Sequence, residues 1–207
     1  MLNNSNRQSK KKQKTKDLLK NAFIDLILEE NNLNSITISD ITDWADFNRG
    51  TFYIHYQDKI DLLEDLYQDA IEVIHQSIKD PYKNMNKVFF DGVIPSIELL
   101  FENIQRNKRL FRCLDRIENH PDIYNRLEHF LWNLFNKEIH IERETDAEET
   151  EYEIFLSFQI HATIGVIKYW IKKDFTFSTK FMSEQLTSFY SDRVIAMKWK
   201  NINFNES

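Results

Sequence analysis

Apolar residues recur along the chain at the three- and four-residue spacing of a single helix face. The first such run predicts a helix over residues 16–32, with acidic side chains on its other side. Its apolar positions are Leu19, Ala22, Phe23, Leu26 and Ile27. Asn31, Asn32 and Asn34 then interrupt the pattern. The chain therefore begins with one amphipathic helix that ends in a polar connection.

Two short helices follow, and each has a good N-cap residue in front of it. Thr37 and Asn48 are of the residue types whose side chains accept a hydrogen bond from the first turn of a helix. The predicted segments are a helix over 38–45 with Ile41 and either Trp44 or Ala45 facing inward, a turn at Asp46 and Phe47, and a helix over 49–56. Two short helices joined by such a turn are typical of a helix-turn-helix.

The rest of the chain continues the helical pattern. The predicted helices cover residues 58–79, 85–107 with a kink at Pro95, 108–119, 122–139, 152–173 and 178–200. With three glycines and three prolines in 207 residues, the chain has few of the breakers that sheets and tight turns need. We therefore predict an all-α protein.

Composition restricts the setting in which the protein works. Cys113 is the only cysteine, so no intramolecular disulfide can form, and a reducing compartment fits best. The first residues hold no apolar segment of signal-peptide length, and no later run approaches the roughly 18 apolar residues of a membrane span. These observations predict a soluble cytoplasmic protein with no membrane partner.

Charge is unevenly distributed along the chain. Residues 7–20 hold seven basic side chains and one acidic one, a net charge of +6, so the other residues carry −12 of the total of −6. A basic segment of this kind is either a solvated tail or a contact to nucleic acid. Residues 7–16 are a candidate arm that reaches phosphates or a minor groove.

The third predicted helix has an unusual outward face. With about 100° per residue, Phe52 and Tyr56 share the inward side, and Gly50 lies opposite. Glycine in a helix interior costs about 1 kcal/mol relative to alanine, so its presence needs a reason. One reason is close approach to base edges in a DNA major groove, where Arg49 can bind a guanine and Thr51 a thymine methyl or a phosphate. The alternative is that Gly50 only relaxes helix packing.

Residues 37–66, TISDITDWADFNRGTFYIHYQDKIDLLEDL, resemble the DNA-binding domain of the tetracycline-repressor (TetR) family of bacterial regulators. The resemblance implies a double-stranded DNA operator. It also implies two domains, a basic arm with a helix-turn-helix DNA-binding domain at 1–60 and a variable helical domain at 61–207 that binds small inducers and dimerises. It implies contacts from Thr37 and Ser39 to the DNA backbone, from Arg49, Gly50 and Thr51, after the N-cap Asn48, to base edges, and from Tyr53, His55 and Lys59 to phosphates. Asp46 departs from the glycine usual in the turn, although aspartate tolerates the left-handed conformation.

Residues 154–167 carry no formal charge and are apolar on nearly every side of a helix. Such a helix must be covered all round, by its own domain and most simply by a second subunit. The predicted dimer interface comprises Ile160, Ala162, Ile164, Gly165, Ile167, Phe189 and Val194. A two-fold homodimer implies a near-palindromic operator. The alternative is a monomer in which this helix is central.

Aromatic residues suggest a cavity for a small hydrophobic or aromatic effector. The candidate lining residues are Phe89, Phe101, Phe111, Cys113, Trp132, Phe135, Phe155, Phe158, Gln159 and His161. Aromatic residues at helical spacing also form ordinary cores, so each position has this second interpretation.

Two rival interpretations concern function. An all-helical enzyme lacks support, because the sequence has no phosphate loop, nucleophile elbow or His-Glu metal motif, and we predict no catalytic residues, metal or cofactor. A DNA-binding activator controlled by a protein partner remains open. Repression is the usual mode of the family that the sequence resembles.

Overall fold

Helices make up most of the residues that the structure, a computed structural model, describes, namely 2–30, 32–83, 85, 93–117, 122–139 and 149–189. In chain order they are α1 (Leu2–Glu30), α2 (Ile38–Trp44), α3 (Arg49–Tyr53), α4 (Lys59–Lys79), α5 (Pro95–Arg106), α6 (Lys108–Arg116), α7 (Ile123–Lys137), α8 (Glu149–Lys172) and α9 (Thr179–Phe189). A 3-10 turn, Asp80–Tyr82, follows α4. These residues include no strand, and the all-α prediction is confirmed.

Side-chain caps fix the starts of the short helices where the sequence predicts them. Thr37 and Asp40 form a reciprocal capping box at α2, in which the Thr37 N–H donates to Asp40 Oδ2 at 2.7 Å. At α4, Asp58 Oδ1 accepts from the N–H groups of Ile60 and Asp61 at 2.8 and 2.9 Å. Each cap satisfies backbone donors that the first turn leaves without a partner, so these boundaries are encoded locally.

Other predicted boundaries are wrong. α1 begins at Leu2 rather than at residue 16, because residues 2–15 contain no glycine or proline and are rich in lysine and glutamine, which favour helix. α3 ends early because its last turn tightens: the His55 N–H donates to the Phe52 carbonyl, three residues back, at 2.9 Å. Of the two inward candidates in α2, Ala45 packs against the core, and Trp44 is exposed.

Pro95 begins α5 rather than kinking a longer helix, and Met85, Val93 and Ile94 are not helical. Proline suits the first helical position, where its missing N–H would have no partner in any case. Residues 86–92 and 190–200, over which the sequence also predicts helix, lie outside the described residues.

One continuous cluster of buried side chains extends through α1, α4 and the helices of the larger domain. Phe23 and Phe52 bury their rings in the N-terminal part, and Phe101 meets Trp170 edge to face in the C-terminal part, with ring centroids 5.3 Å apart. The division predicted at residue 60 falls inside α4, which contributes to both parts of this core, and it stays a prediction.

Ion pairs attach α1 to α4. Lys16 Nζ lies 3.0 Å from Asp65 Oδ2, and Lys20 Nζ lies 3.1 Å from Asp65 Oδ1 and 2.7 Å from Asp69 Oδ2. Burial acts to raise the pKa of Asp65, but hydrogen bonds from Lys16, Tyr56 and Lys20 outweigh it and hold that pKa below its ordinary value. Two of the seven basic residues at positions 7–20 are therefore engaged within the protein.

α8 is the most apolar helix of the C-terminal part. Its segment Thr150–Lys172 is long and apolar enough to cross a membrane by length and composition alone, and 33% of its most apolar window is buried. The prediction from the sequence concerned uncharged runs, and the uncharged run within α8, residues 154–167, is shorter than a membrane span. Core helices of soluble proteins have the same composition, and Leu156, Ile160 and Trp170 face the interior here.

The turn between α2 and α3 is closed by a left-handed residue. Asp46 has φ of 57°, and the Phe47 N–H donates to the Thr42 carbonyl at 2.8 Å. The Asp46 N–H donates to the Asp43 carbonyl at 3.2 Å, which completes a Schellman motif. The prediction that aspartate keeps the turn intact is confirmed.

Replacing Asp46 by glycine stabilises the protein, because glycine adopts positive φ without the steric cost of a Cβ. We expect a gain of about 0.5–1 kcal/mol in the free energy of unfolding, or roughly 1–4 °C in the melting temperature. The matched control is Asp43→Gly in α2, where the backbone is helical and glycine should lower stability by a similar amount. If both substitutions lower the melting temperature, the turn carries no such strain.

Candidate nucleic-acid interface and interior cavity

α3 has two faces, an apolar one that is buried and a more polar one that is exposed to solvent. Phe52 has no exposed surface and Tyr56 is almost fully buried, whereas Arg49, Gly50 and Tyr53 are exposed. Asn48 Oδ1 caps the helix by accepting from the Thr51 N–H at 2.9 Å and from the Thr51 hydroxyl at 3.2 Å. The inward and outward faces predicted from the 3.6-residue period are confirmed for these residues.

Gly50 has a local role that the sequence did not indicate. A Cβ placed at this position would lie 3.1 Å from Asn48 Oδ1, closer than ordinary van der Waals contact. Glycine thus leaves room for the side chain that caps α3. It also leaves the backbone bare on the exposed side of the helix, as close approach to another molecule requires.

Arg49 and Tyr53 stand one turn apart on the exposed face. Arg49 Nη2 donates to the Tyr53 hydroxyl at 3.4 Å, and the Tyr53 ring packs edge-on against Phe52 with centroids 5.7 Å apart. Tyr53 therefore supports the guanidinium while leaving most of its donors available.

The start of α2 is also exposed. The Thr37 hydroxyl donates to Asp40 Oδ2 at 2.7 Å and accepts from the Asp40 N–H at 3.2 Å, so its donor is already used. The hydrogen bond from that hydroxyl, together with the one from the Thr37 backbone, lowers the pKa of Asp40. Ser39 is half-buried. This end of α2 accordingly has less free hydrogen-bonding capacity than α3.

Lys59 has partners within the protein. Its Nζ donates to the carbonyls of Leu33 at 2.9 Å, Ile36 at 2.7 Å and Asn34 at 3.4 Å, which accounts for all three donors of an ammonium group. A cation in the first turn of a helix suggested an anionic partner such as a phosphate. Loop carbonyls fill that role instead, and Lys59 fixes the α1–α2 connection.

His55 lies where α3 turns into α4 and faces the basic side of α1. Its Nδ1 is buried, and no hydrogen-bond partner for it is found among the described residues. Burial lowers the pKa of His55, and the charges of Lys12 and Lys16 lower it further. The neutral imidazole is therefore favoured at neutral pH.

A cavity of about 340 Å³ lies between α4, α5, α7 and α8. Its walls are mainly aliphatic and come from Ile74, Ile78, Tyr82, Ile94, Ser96, Ile97, Leu100, Leu127, Leu131, Phe135, Ile139, Phe155, Leu156, Gln159, Ile160, Thr163, Ile164 and Ile167. Polar groups are few. The Tyr82 hydroxyl pairs with Ser96 Oγ at 3.1 Å, whereas Gln159 Oε1 is buried and has no hydrogen-bond partner within the part of the chain that the structure describes.

Of the predicted lining residues, Phe135, Phe155 and Gln159 border the cavity. The others lie elsewhere: Phe101, Phe111 and Cys113 are fully buried in the core, Trp132 packs against that core, Phe158 and His161 are exposed, and Phe89 is outside the described residues. Burial raises the pKa of Cys113 to about 12, so its thiol stays protonated. Phe155 and Gln159 lie on the side of α8 that faces the cavity. Phe158 and His161 lie on the opposite, exposed side of the same helix.

An apolar stripe on the outer side of α8 and α9 remains exposed. It comprises Ile154, Phe158, Gly165 and Tyr169 of α8 with Phe181 and Phe189 of α9, and we call it the outer apolar face. A Cβ at Gly165 would meet no atom within 4 Å. Surface patches of large apolar residues mark interaction sites.

The single chain already covers three of the residues predicted at the subunit interface. Ile160, Ile164 and Ile167 are buried and border the cavity, so they are not available to a second subunit. Gly165 and Phe189 lie on the outer apolar face, Ala162 is half-buried, and Val194 lies outside the described residues. Ile154, Phe158 and Tyr169 are exposed instead, and the sequence did not distinguish them because a helix that is apolar on all sides does not show which side faces inward.

Comparison with known proteins identifies the family. Residues 91–192 match the model of a TetR-type transcriptional regulator C-terminal region. An uncharacterized HTH-type transcriptional regulator of Bacillus subtilis, YxbF, is 20% identical over 167 residues, which cover 81% of this chain and 42% of that protein. The chain thus spans less than half the length of this curated relative.

Solved structures share the fold. The dihydroxyacetone kinase operon activator DhaS superposes with a TM-score of 0.59 at 19% identity, covering 84% of this chain and 93% of that one. A TetR transcriptional regulator from Streptococcus agalactiae superposes with a TM-score of 0.57 at 23% identity, covering 89% and 98%. The relatives are regulators rather than enzymes, and the chain belongs to the TetR family of transcriptional regulators.

Proposed function

We propose that this protein is a cytoplasmic regulator that binds a near-palindromic DNA operator as a homodimer and is released by a small apolar effector. The observation that carries the proposal is the exposed face of α3, where Arg49, Gly50 and Tyr53 project from a helix anchored by the buried Phe52. A short capped helix with a bare, cationic outer face fits a DNA major groove.

The residues of the interface have different roles in this proposal. Arg49 donates to guanine, Gly50 lets the backbone approach base edges, and Thr51 meets a thymine methyl group or a phosphate. Tyr53 and His55 contact phosphates, as do the exposed ends of α2 and α3 at Thr37, Ser39 and Asn48 through their backbone or side chains. Lys59 acts indirectly, because its ammonium group holds the α1–α2 connection.

Dimerisation uses the outer apolar face. Two copies related by a two-fold axis would cover Phe158 and its neighbours, with Gly165 allowing the two α8 helices to approach closely. The same contact sets the distance between the two α3 helices, and hence the spacing of the operator half-sites.

The effector occupies the cavity, and its walls favour an aliphatic molecule over an aromatic one. Isoleucine and leucine dominate the lining, and the unpaired Gln159 Oε1 offers one acceptor for a hydroxyl or protonated carboxyl group. Ile74 and Ile78 of the wall belong to α4, the helix whose Asp65 and Asp69 hold α1. A ligand that prefers one position of α4 therefore shifts the population of DNA-binding dimers.

Whether such a regulator represses or activates transcription depends on where its operator lies relative to a promoter. We propose repression, in which the dimer blocks transcription until the effector binds. The similar structure of DhaS carries the name of an operon activator, so the alternative is an activator that responds to a protein partner.

Selection of DNA tests this function. The purified protein is incubated with duplexes that contain a randomised central segment, and bound molecules are amplified and sequenced over several rounds. We expect enrichment of one motif with two inverted half-sites about one helical turn apart. Recovery of unrelated sequences after several rounds would contradict operator recognition by α3.

A large side chain placed in the cavity should abolish effector binding and leave DNA binding intact. Straight-chain fatty acids and alcohols are the probes, with benzoate as the aromatic comparison. At about one hundred times Kd, a bound probe stabilises the protein by roughly 2.7 kcal/mol, which raises the melting temperature by about 5–10 °C. Ile164→Trp should abolish this shift and retain operator binding, whereas Lys137→Trp, on an exposed part of α7, should keep both. An equal shift in wild type and Ile164→Trp would place the probe elsewhere.

A further inference from the structure

The first half of α1 projects beyond the packed part of the protein. α1 begins at Leu2, but its first fully buried side chain is Leu19, and Lys16 is its first residue with a described side-chain contact to another helix. At about 1.5 Å per residue, residues 2–15 form a rod of roughly 20 Å. This segment, which we call the α1 extension, is part of a regular helix, whereas the sequence predicts helix only from residue 16.

Basic residues of α1 lie on two opposite sides. With about 100° per residue, Arg7, Lys10, Lys11 and Lys14 fall within an arc of roughly 100°, and we call them the outer basic stripe. Lys16 and Lys20 lie on the other side and are paired with Asp65 and Asp69 of α4. The sequence shows one basic cluster, but ion pairs among the described residues engage only Lys16 and Lys20.

The outer basic stripe is exposed to solvent. All four side chains are exposed, and no ion pair to them is found among the described residues. The four cations stand three and four residues apart along the helix, so they repel one another. An external polyanion would offset this repulsion.

The α1 extension lies on the side of the molecule that carries the candidate DNA interface. Lys12 and Lys16 are near enough to His55, at the end of α3, for their charges to act on its imidazole. Tyr56, the residue after His55, donates to Asp65 Oδ2 at 2.8 Å, and the same oxygen accepts from Lys16 at 3.0 Å. The α1 extension therefore leaves the body beside α3, and the outer basic stripe lies on the side of α1 opposite to Lys16, away from α3 and α4.

We propose that the outer basic stripe lies along the phosphate backbone of the duplex that flanks each operator half-site. This inference rests on the proposed function, because it assumes that α3 docks in the neighbouring major groove. The outer basic stripe makes no contact with base edges. It adds sequence-independent affinity and extends the footprint of each subunit beyond the base pairs that α3 reads.

Salt dependence on two duplexes tests the proposal. The variant Lys10→Gln, Lys11→Gln, Lys14→Gln keeps good helix formers while removing three charges. One duplex ends at the selected operator, and the other extends it by about ten base pairs, one helical turn, on each side. On the long duplex, the plot of log K against log salt concentration has a negative slope. The variant should make this slope less steep by about 0.9 for each lost phosphate contact, or about 3 per subunit. On the short duplex the slope should stay unchanged.

A second triple variant controls for total charge. Lys83→Gln, Lys108→Gln, Lys137→Gln removes three exposed lysines from other helices and turns, and it should leave both slopes unchanged. A wild-type slope for the first variant on the long duplex would overturn the proposal. An equal reduction on both duplexes, or with both variants, would also overturn it. Arg49→Ala separates the two claims, since it tests base reading by α3 and leaves the outer basic stripe intact.

Discussion

Replacing Arg49 by alanine should remove sequence-specific DNA binding while leaving the fold intact. Arg49 is exposed, and its one described hydrogen bond within the protein is the 3.4 Å contact to the Tyr53 hydroxyl, so truncation creates no cavity. A bidentate contact between arginine and guanine contributes about 1–3 kcal/mol to base discrimination. A dimer makes this contact twice, so affinity for the selected operator should fall by roughly 30-fold to 10⁴-fold.

Two control variants sharpen this result. Arg106→Ala removes an exposed arginine of α5 that pairs with Glu102, far from α3 in sequence, and should leave operator affinity unchanged. Tyr53→Phe removes the hydroxyl that accepts from Arg49 and keeps the ring on Phe52, so it should cost less than Arg49→Ala. Binding is measured by fluorescence anisotropy at several salt concentrations. If Arg49→Ala keeps the preference for the operator over a scrambled duplex, base reading lies elsewhere.

A negative charge on the outer apolar face should dissociate the dimer. Phe158 is 64% exposed in the single chain and lies in the middle of the α8 stripe. In a two-fold interface the substitution Phe158→Glu places two desolvated carboxylates in the same contact, and an unpaired buried charge costs several kcal/mol. We expect sedimentation as a monomer at micromolar concentration.

Operator binding should weaken together with dimerisation. The monomer loses the joint placement of two α3 helices, so its affinity for the two-half-site operator should fall by at least about a hundredfold. Met85→Glu is the control, because Met85 is similarly exposed at 59% but lies away from α8 and α9 in the chain. A Phe158→Glu protein that remains a dimer, or a wild-type protein that sediments as a monomer, would exclude this face as the interface.

The helix-turn-helix could be predicted closely because its signals are local. Thr37, Asn48 and Asp58 cap three helices within three residues of their own positions, and the 3.6-residue period separates Phe52 from Gly50. The left-handed turn at Asp46 also depends on neighbours only. Such signals operate before any tertiary contact forms, so a single sequence is enough to read them.

Features that depend on distant contacts could not be predicted. Lys59 binds backbone carbonyls that lie 23 to 26 residues earlier in the chain. The pattern of hydrophobic residues does not predict such distant partners. The side of α8 that faces inward could not be predicted for a similar reason: Ile160 and Phe158 are both apolar, and only the packing of α5 and α7 makes the first internal and the second external. The cavity walls proved aliphatic because the larger aromatic rings, such as Phe101 and Trp170, fill the core beside it.

The most direct test of the central claim is the ratio of dissociation constants for the selected operator and for a scrambled duplex of equal length and composition, measured at about 0.15 M salt. The proposed reading of bases by α3 predicts a ratio of at least about 10³, since specific DNA-binding proteins discriminate by this factor or more. A ratio near one would contradict the account. Contact with DNA would then come from the basic residues of α1 alone.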